Sequence, residues 1–114
     1  MDDLLYICKN LDIDKYDLYK YMLNRIGYYA FNLGEYDIAK KMWLMAIEKG
    51  NKLAMYNLGS YYKKIEHNYD EMKKYYLMAI EIGNDQAMSS LGLYYQKIEH
   101  NYDEMKKYYL MAIK

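Results

Sequence analysis

The sequence contains no proline, a single cysteine and no excess of either charge. Sixteen basic and sixteen acidic residues cancel, which counts against a nucleic-acid binder, because such proteins normally carry a basic excess. One cysteine, Cys8, cannot form an internal disulfide and fits a reducing setting. No apolar run reaches the roughly 18 residues of a transmembrane helix, and the acidic start of the chain is unlike a secretory signal. We therefore expect an intracellular, cytoplasmic protein without a membrane association.

Groups of residues that would carry catalysis or hold a cofactor are also missing. There is no glycine-rich phosphate loop and no nucleophile paired with a base. His67 and His100 occupy equivalent turns, about 10 Å or more apart in a helical stack, which is too far for one zinc ion. Cys8 lies on the apolar side of a short helix expected at residues 2–10 and is interpreted as a buried thiol. The sequence predicts no enzyme, no metal site and no cofactor.

The sequence does contain an internal repeat with a period of 33 residues. The segment 54–80 returns at 87–113 with four changes in 27 positions, and a degraded copy ends at Gly50. Periods between about 20 and 50 residues indicate stacked repeats. Apolar residues at three- and four-residue spacing predict helices, which end at glycines or at the turn 66–68. We expect an all-α fold of six or seven helices, a right-handed α-solenoid of antiparallel helical hairpins with no sheet.

The repeats give the expected organisation of a single domain over residues 1–114. An N-terminal capping helix at 1–13 precedes repeats at 14–50, 51–83 and 84–114, and the last repeat is open at its C-terminal side. Asp14 is expected to cap the first long helix, and Asn68 a later one, with Glu71 at its third position. The apolar stripe expected to face the core in the first repeat consists of Leu18, Met22, Ile26, Tyr29 and Leu33. Its counterpart in the second repeat consists of Ala54, Leu58, Tyr61, Tyr62 and Ile65.

These repeats resemble the Sel-1-like repeat (SLR), a relative of the tetratricopeptide repeat (TPR). The first-helix pattern Ala-x-x-x-Leu-Gly-x-x-Tyr is met at Ala54, Leu58, Gly59 and Tyr62, and again at Ala87, Leu91, Gly92 and Tyr95. The second-helix pattern, an aromatic pair followed by Ala and a closing Gly, is met at Tyr75, Tyr76, Ala79 and Gly83. The first repeat matches the two patterns at Gly27, Ala39, Trp43, Ala46 and Gly50, while Met22, Ile26 and Ala30 stand in for the Ala, Leu and Tyr of the first helix. The family's Gly-x-Gly-Val loop is replaced by residues 63–68, which brings the repeat length near that of a TPR.

The resemblance implies a protein-interaction scaffold whose first helices line a concave surface, and it implies no enzymatic activity. We expect Gly59 and Ala79 to let two helix backbones approach closely. We expect the aromatic pair to fill the space between hairpins.

The four differences between the two close copies all fall in the first helix of the repeat. They are Tyr56 against Ser89, Asn57 against Ser90, Ser60 against Leu93, and Lys63 against Gln96. At about 100° per residue they form one stripe that faces away from the predicted core. The same stripe in the first repeat consists of Asn24, Arg25, Tyr28 and Phe31. We call these twelve residues the outer stripe.

The outer stripe has two interpretations. It can line a groove for a peptide or protein, with Arg25, Tyr28, Phe31 and Tyr56 as anchor residues of the types that interfaces favour. Alternatively, duplicated repeats change first wherever solvent permits.

Two other functions stay open. The last helix presents an apolar face consisting of Met105, Tyr108, Tyr109 and Met111, and we expect it to self-associate or to pack on a partner. A helical repeat that stacks tyrosines on single-stranded RNA is the less favoured alternative, because the net charge is zero.

Overall fold

A computed structural model describes residues 19–114 of the chain. Within this range the residues form helices and short connections, and none lies in a strand. The predicted all-α class is therefore confirmed for the described part. The predicted capping helix at 1–13, the Asp14 cap, Cys8 and Leu18 lie outside the described residues.

The described residues form six α-helices. Their bounds are α1 Tyr19–Asn32, α2 Tyr36–Glu48, α3 Lys52–Tyr61, α4 Tyr69–Glu81, α5 Asp85–Lys97 and α6 Tyr102–Ile113, and a π-helical turn at Tyr62–Glu66 continues α3. No helix in this part of the chain is long and apolar enough to cross a membrane. The helices group into two compact units, one reaching Asn51 and the other comprising Lys52–Lys114.

Asparagine side chains start three of the helices. Asn68 Oδ1 accepts a hydrogen bond from the Glu71 backbone N–H at 3.2 Å, as the sequence predicts. Asn101 does the same for Glu104 at 3.2 Å, and Asn84 accepts from the Ala87 N–H at 2.8 Å. Each cap satisfies a backbone donor that the first turn of a helix leaves without an intrahelical partner.

The first helices of the repeats end in two ways. In the first repeat, Gly34 takes a positive φ of 80°, and the Glu35 N–H donates to the Ala30 carbonyl at 2.9 Å. In the second, His67 takes the left-handed position with φ 51°, and the Asn68 N–H donates to the Tyr62 carbonyl at 2.9 Å. The hydrogen bond at Asn68 encloses one more residue than the bond at Glu35, and the π-helical turn accommodates that extra residue.

The first unit contains the α1–α2 hairpin. Its fully buried residues include Leu23 and Ala30 on α1 and Trp43 on α2. Gly27 faces the indole of Trp43 so closely that a Cβ at Gly27 would lie 2.7 Å from Trp43 Cδ1. Only a small residue leaves room for the ring there, so α1 turns its small residues towards α2.

This orientation of α1 corrects the predicted core stripe. Met22, Tyr29 and Leu33 are exposed, and Ile26 is half-buried. The buried face lies one residue further along the helix, which is a rotation of about 100°. The predicted stripe of the second repeat is closer to the observed core. Ala54, Leu58 and Tyr61 are buried, whereas Tyr62 and Ile65 are half-buried.

The second unit contains two hairpins of closely similar sequence, α3–α4 and α5–α6, and α4 also contacts α5. Gly59 faces the ring of Tyr76, and Gly92 faces the ring of Tyr109. A Cβ at Gly59 would lie 2.7 Å from Tyr76 Cδ1 and 3.3 Å from the Met72 carbonyl oxygen. The glycine therefore makes room chiefly for an aromatic ring, whereas we expected close approach of two backbones.

The first tyrosine of each aromatic pair packs within its own hairpin, which differs from the expected filling between hairpins, whereas Tyr76 also hydrogen-bonds Ser90 of the next hairpin. The Tyr75 ring stacks on Tyr62 with centroids 5.8 Å apart and planes 6° apart. Its copy Tyr108 stacks on Tyr95 at 5.8 Å and 5°. This repetition shows that the tyrosine-rich core is specific packing conserved between the two copies within the chain.

Candidate functional site

In the second unit the outer stripes of two repeats meet. The Tyr56 hydroxyl of α3 and Ser90 Oγ of α5 are 3.4 Å apart and share a hydrogen bond. Two of the residues that differ between the copies therefore meet across neighbouring repeats. Of the outer-stripe surface in this unit, Ser89 and Gln96 are exposed. The half-buried members are Tyr56, Asn57, Ser60, Lys63, Ser90 and Leu93.

Beneath this surface lies a tyrosine cluster centred on Tyr76. The Tyr56 ring stacks on the Tyr76 ring at 5.6 Å and 20°, and Ser60 Oγ is 2.8 Å from the Tyr76 hydroxyl. Burial raises the pKa of Tyr76 to about 12, so its phenol is neutral at physiological pH. Tyr56 and Ser60 are therefore fixed in place by the fold, and each exposes only part of its surface to a partner.

The third repeat arranges the equivalent tyrosine differently. Leu93 replaces Ser60 and cannot hydrogen-bond, and the Tyr109 hydroxyl donates instead to Gln96 Oε1 at 3.2 Å. Two of the four differences between the copies are thus coupled. Leu93 removes the serine that bonds the tyrosine hydroxyl in the second repeat, and Gln96 supplies another acceptor for that hydroxyl in the third. This pairing gives part of the variation a structural role. The two remaining differences, Asn57 against Ser90 and Tyr56 against Ser89, are the changes that most alter the surface.

In the first unit the outer stripe is only partly at the surface. Arg25 and Tyr28 are exposed. Phe31 is half-buried and packs on Trp43 at 5.9 Å and on Tyr36 at 5.4 Å between ring centroids.

The prediction for Asn24 is wrong. Asn24 is 9% exposed and belongs to the interior. Its backbone carbonyl oxygen accepts a hydrogen bond from Trp43 Nε1 at 3.3 Å. The rotation of α1 that brings Gly27 against Trp43 also turns Asn24 inwards.

No known protein family and no curated protein matches this chain.

The exposed apolar residues of α1 escaped the sequence analysis. Tyr29 is 55% exposed, about as much as the neighbouring Tyr28 at 54%, and Met22 and Leu33 are exposed as well. Periodicity assigned these residues to the core. The signal for the buried face was the small residue Gly27, which lies against the Trp43 ring.

The C-terminal helix requires a second correction. Tyr108 is buried against Tyr95, so it does not belong to the open face. Met105 and Tyr109 are half-buried, and Met111 is exposed. The most exposed apolar residues of α6 are Tyr102, Leu110 and Ile113, which the sequence analysis did not select.

An ion pair joins α4 to the residues that follow α5. Lys73 Nζ is 2.6 Å from Glu99 Oε2. The hydrogen bond to Glu99 raises the pKa of Lys73, and the bond to Lys73 lowers the pKa of Glu99. The Lys73 ammonium also lies above the Tyr94 ring, 5.0 Å from its centroid. Sequence reasoning missed this group because its partners come from different repeats.

The two turn histidines have a local backbone role. His67 and His100 both adopt positive φ, 51° and 52°, where they terminate the first helices of their repeats. Among residues 19–114, no group of three His, Cys, Asp or Glu side chains is placed to hold a metal ion.

Proposed function

We propose that this chain is a protein-interaction module of the SLR/TPR-like kind. Its helical hairpins stack as a right-handed solenoid, and a peptide or protein binds across the outer stripe of the first helices. Support comes from the repeated construction of the hairpins, in which each first helix receives an aromatic ring of the second helix at a glycine. The contact of α4 with α5 joins successive hairpins in the second unit. The composition, with its single cysteine, favours an intracellular setting.

One observation supports the binding role above the others. The second helices of the two close copies are identical over 69–80 and 102–113, and every difference lies on the first helices. The hydrogen bond between Tyr56 and Ser90 brings two of the differing residues side by side. A surface that varies while its support stays constant is the pattern expected of a recognition surface on a repeat scaffold.

The chemistry of this surface favours a mixed polar and aromatic contact. Arg25 and Tyr28 are exposed residue types that often carry binding energy. Ser89 and Gln96 offer hydrogen bonds at the surface, and Leu93 adds an apolar patch. A peptide segment that combines hydrogen-bonding groups with an apolar side chain fits the residues of this surface in the second unit. The proposal involves no catalysis and no cofactor.

Two adjacent tyrosines provide a matched test. Tyr28 and Tyr29 lie on one helix with nearly equal exposure, and only Tyr28 belongs to the outer stripe. Partners are captured from native-host lysate on immobilised protein and identified by mass spectrometry. Tyr28→Ala should lose a partner that Tyr29→Ala keeps, with a weakening of about tenfold or more if Tyr28 is an anchor. Equal retention of every partner by both variants would refute binding through Tyr28.

Self-association through α6 is a second candidate, favoured by the exposure of Leu110, Met111 and Ile113. Sedimentation over a wide concentration range tests it. A mass that stays monomeric excludes this candidate and leaves the outer-stripe proposal untouched.

A further inference from the structure

Residues 69–80 of α4 and 102–113 of α6 have the same sequence. The equivalent side chains of the two helices are nevertheless buried to different extents. Ile80 is 9% exposed, whereas its copy Ile113 is 80% exposed. Met72 is fully buried, whereas its copy Met105 is half-buried. Since the side chains are identical, the difference comes from a neighbouring element. That element at α4 is α5, which contacts it directly.

The contacts between α4 and α5 show which helix fits this face. The Tyr94 ring lies 5.3 Å from the Tyr69 ring. Lys73 Nζ lies 5.0 Å from the Tyr94 centroid and 5.4 Å from that of Tyr95, and it pairs with Glu99 at 2.6 Å. The covering segment thus supplies two consecutive tyrosines on α5 and, four residues after the second and beyond the end of the helix, a carboxylate.

The apolar side of α5 is buried in the same unit. Ala87 and Leu91 are both fully buried. The covering helix therefore also carries a small apolar residue and, one turn later, a leucine.

Helix α6 presents the same receiving groups without this cover. Tyr102 corresponds to Tyr69, and Lys106 corresponds to Lys73. Both Tyr102 and Lys106 are exposed. The apolar residues beside them are the copies of residues that α5 buries at α4, and exposed apolar area of this kind favours a docked partner.

We propose that α6 binds an amphipathic helix of another protein that has the chemistry of α5. Its first tyrosine packs on Tyr102, its carboxylate pairs with Lys106, and its apolar side covers Met105 and Ile113. This inference is independent of binding at the outer stripe.

Charge favours such a helix over a second copy of α6. A two-fold contact between two α6 helices brings equivalent residues together around the symmetry axis. Lys106 lies near the middle of the helix, so two ammonium groups would face each other and oppose the contact. A partner that places a carboxylate next to Lys106 forms an ion pair there instead.

The probe is a blocked synthetic peptide with the sequence of residues 84–101, added to the 114-residue protein. Methyl NMR spectra of the protein follow Ile113 and Met105, with the buried copies Ile80 and Met72 as internal controls. We expect saturable shifts at Ile113 and Met105 and none at Ile80 and Met72. A peptide in which the residue corresponding to Tyr94 is alanine should bind at least about tenfold more weakly, because it loses the ring contact.

A charge exchange tests the ion pair. Lys106→Glu should weaken binding of the native peptide by about fivefold, as expected for a partly exposed pair. A peptide carrying lysine in place of Glu99 should restore binding to Lys106→Glu. Lys97→Glu makes the same change in net charge at an exposed residue of α5 and should leave peptide binding unchanged.

Three results would overturn the proposal. The first is the absence of shifts at about 1 mM peptide, which corresponds to negligible affinity. The second is equal weakening by Lys97→Glu and Lys106→Glu, which means that only net charge matters. The third is a dimer in sedimentation that the peptide does not dissociate, which assigns the α6 face to a second copy.

Discussion

The close contact between Gly59 and Tyr76 predicts opposite effects for the same substitution in two nearly identical repeats. Gly59→Ala places a methyl group 2.7 Å from Tyr76 Cδ1 and 2.8 Å from Cε1. The Tyr76 ring is buried, stacked on Tyr56 and hydrogen-bonded to Ser60, so it cannot move aside. Overpacking of this kind costs about 1–3 kcal/mol, and the helix preference of alanine over glycine returns about 1 kcal/mol. We expect a net loss of up to about 2 kcal/mol in the free energy of unfolding.

Gly92→Ala meets a ring that can move. The nearest atoms are Tyr109 Cδ1 at 2.8 Å and Cε1 at 2.9 Å, but Tyr109 is half-buried and its hydroxyl bonds only the exposed Gln96. A small shift of this ring relieves the contact, so the helix preference should dominate. We expect Gly92→Ala to stabilise the protein by about 0.5–1 kcal/mol.

Urea unfolding followed by far-ultraviolet circular dichroism measures both variants. The two should differ by about 2 kcal/mol, because the sequence contexts are the same and only the freedom of the ring differs. Gly59→Ala in a Tyr76→Leu background serves as the control, since removal of the ring should abolish the penalty. Equal effects of the two alanine substitutions would contradict the role assigned to ring burial.

Two further predictions concern stability. Because folding raises the pKa of Tyr76 from its ordinary value to about 12, the folded state holds this proton more tightly. The associated stability is complete below pH of about 10 and falls by up to about 2–3 kcal/mol as the pH rises through 12. Base titrations of unfolding should show a smaller loss for Tyr76→Phe, because only the contributions of the other groups with raised pKa values, Lys73, Tyr94 and Tyr95, remain. Asn84→Ala should lower the free energy of unfolding by about 1–2 kcal/mol, because its cap bond to the Ala87 N–H is buried. Asn101→Ala removes an exposed cap and should cost about half as much. Equal losses of stability in thermal unfolding would show that cap burial has no effect.

Local patterns in the sequence predicted the helices and one of their caps. Asn68 was identifiable because an asparagine before a helix, with an acidic residue three positions on, has a direct effect on backbone donors nearby. The all-helical class followed from periodicity in the same way. These features depend on residues that are neighbours along the chain.

The orientation of α1 was not predictable from periodicity. Apolar residues occur on several sides of this helix, so spacing selected Met22 and Tyr29 instead of the smaller residues. Trp43 on the next helix sets the orientation of α1, because its indole packs against Gly27. The consequence for the candidate site was the loss of Asn24 from the outer stripe.

The open face of α6 was only partly predictable for a different reason. Identical sequences in α4 and α6 suggest identical surroundings, but burial depends on the element that lies next to each helix. Ile113 therefore escaped notice, and Tyr108, which packs inside its own hairpin, was assigned to the surface. Comparison of copies identifies variable positions, and only coordinates show which of them are covered.

The position of Trp43 makes the two units optically distinguishable. It is the only tryptophan in the chain, and it lies buried in the α1–α2 hairpin. The near-parallel tyrosine pairs at Tyr62–Tyr75 and Tyr95–Tyr108 belong to the other unit. Indole fluorescence therefore reports the melting of the first unit without any added label.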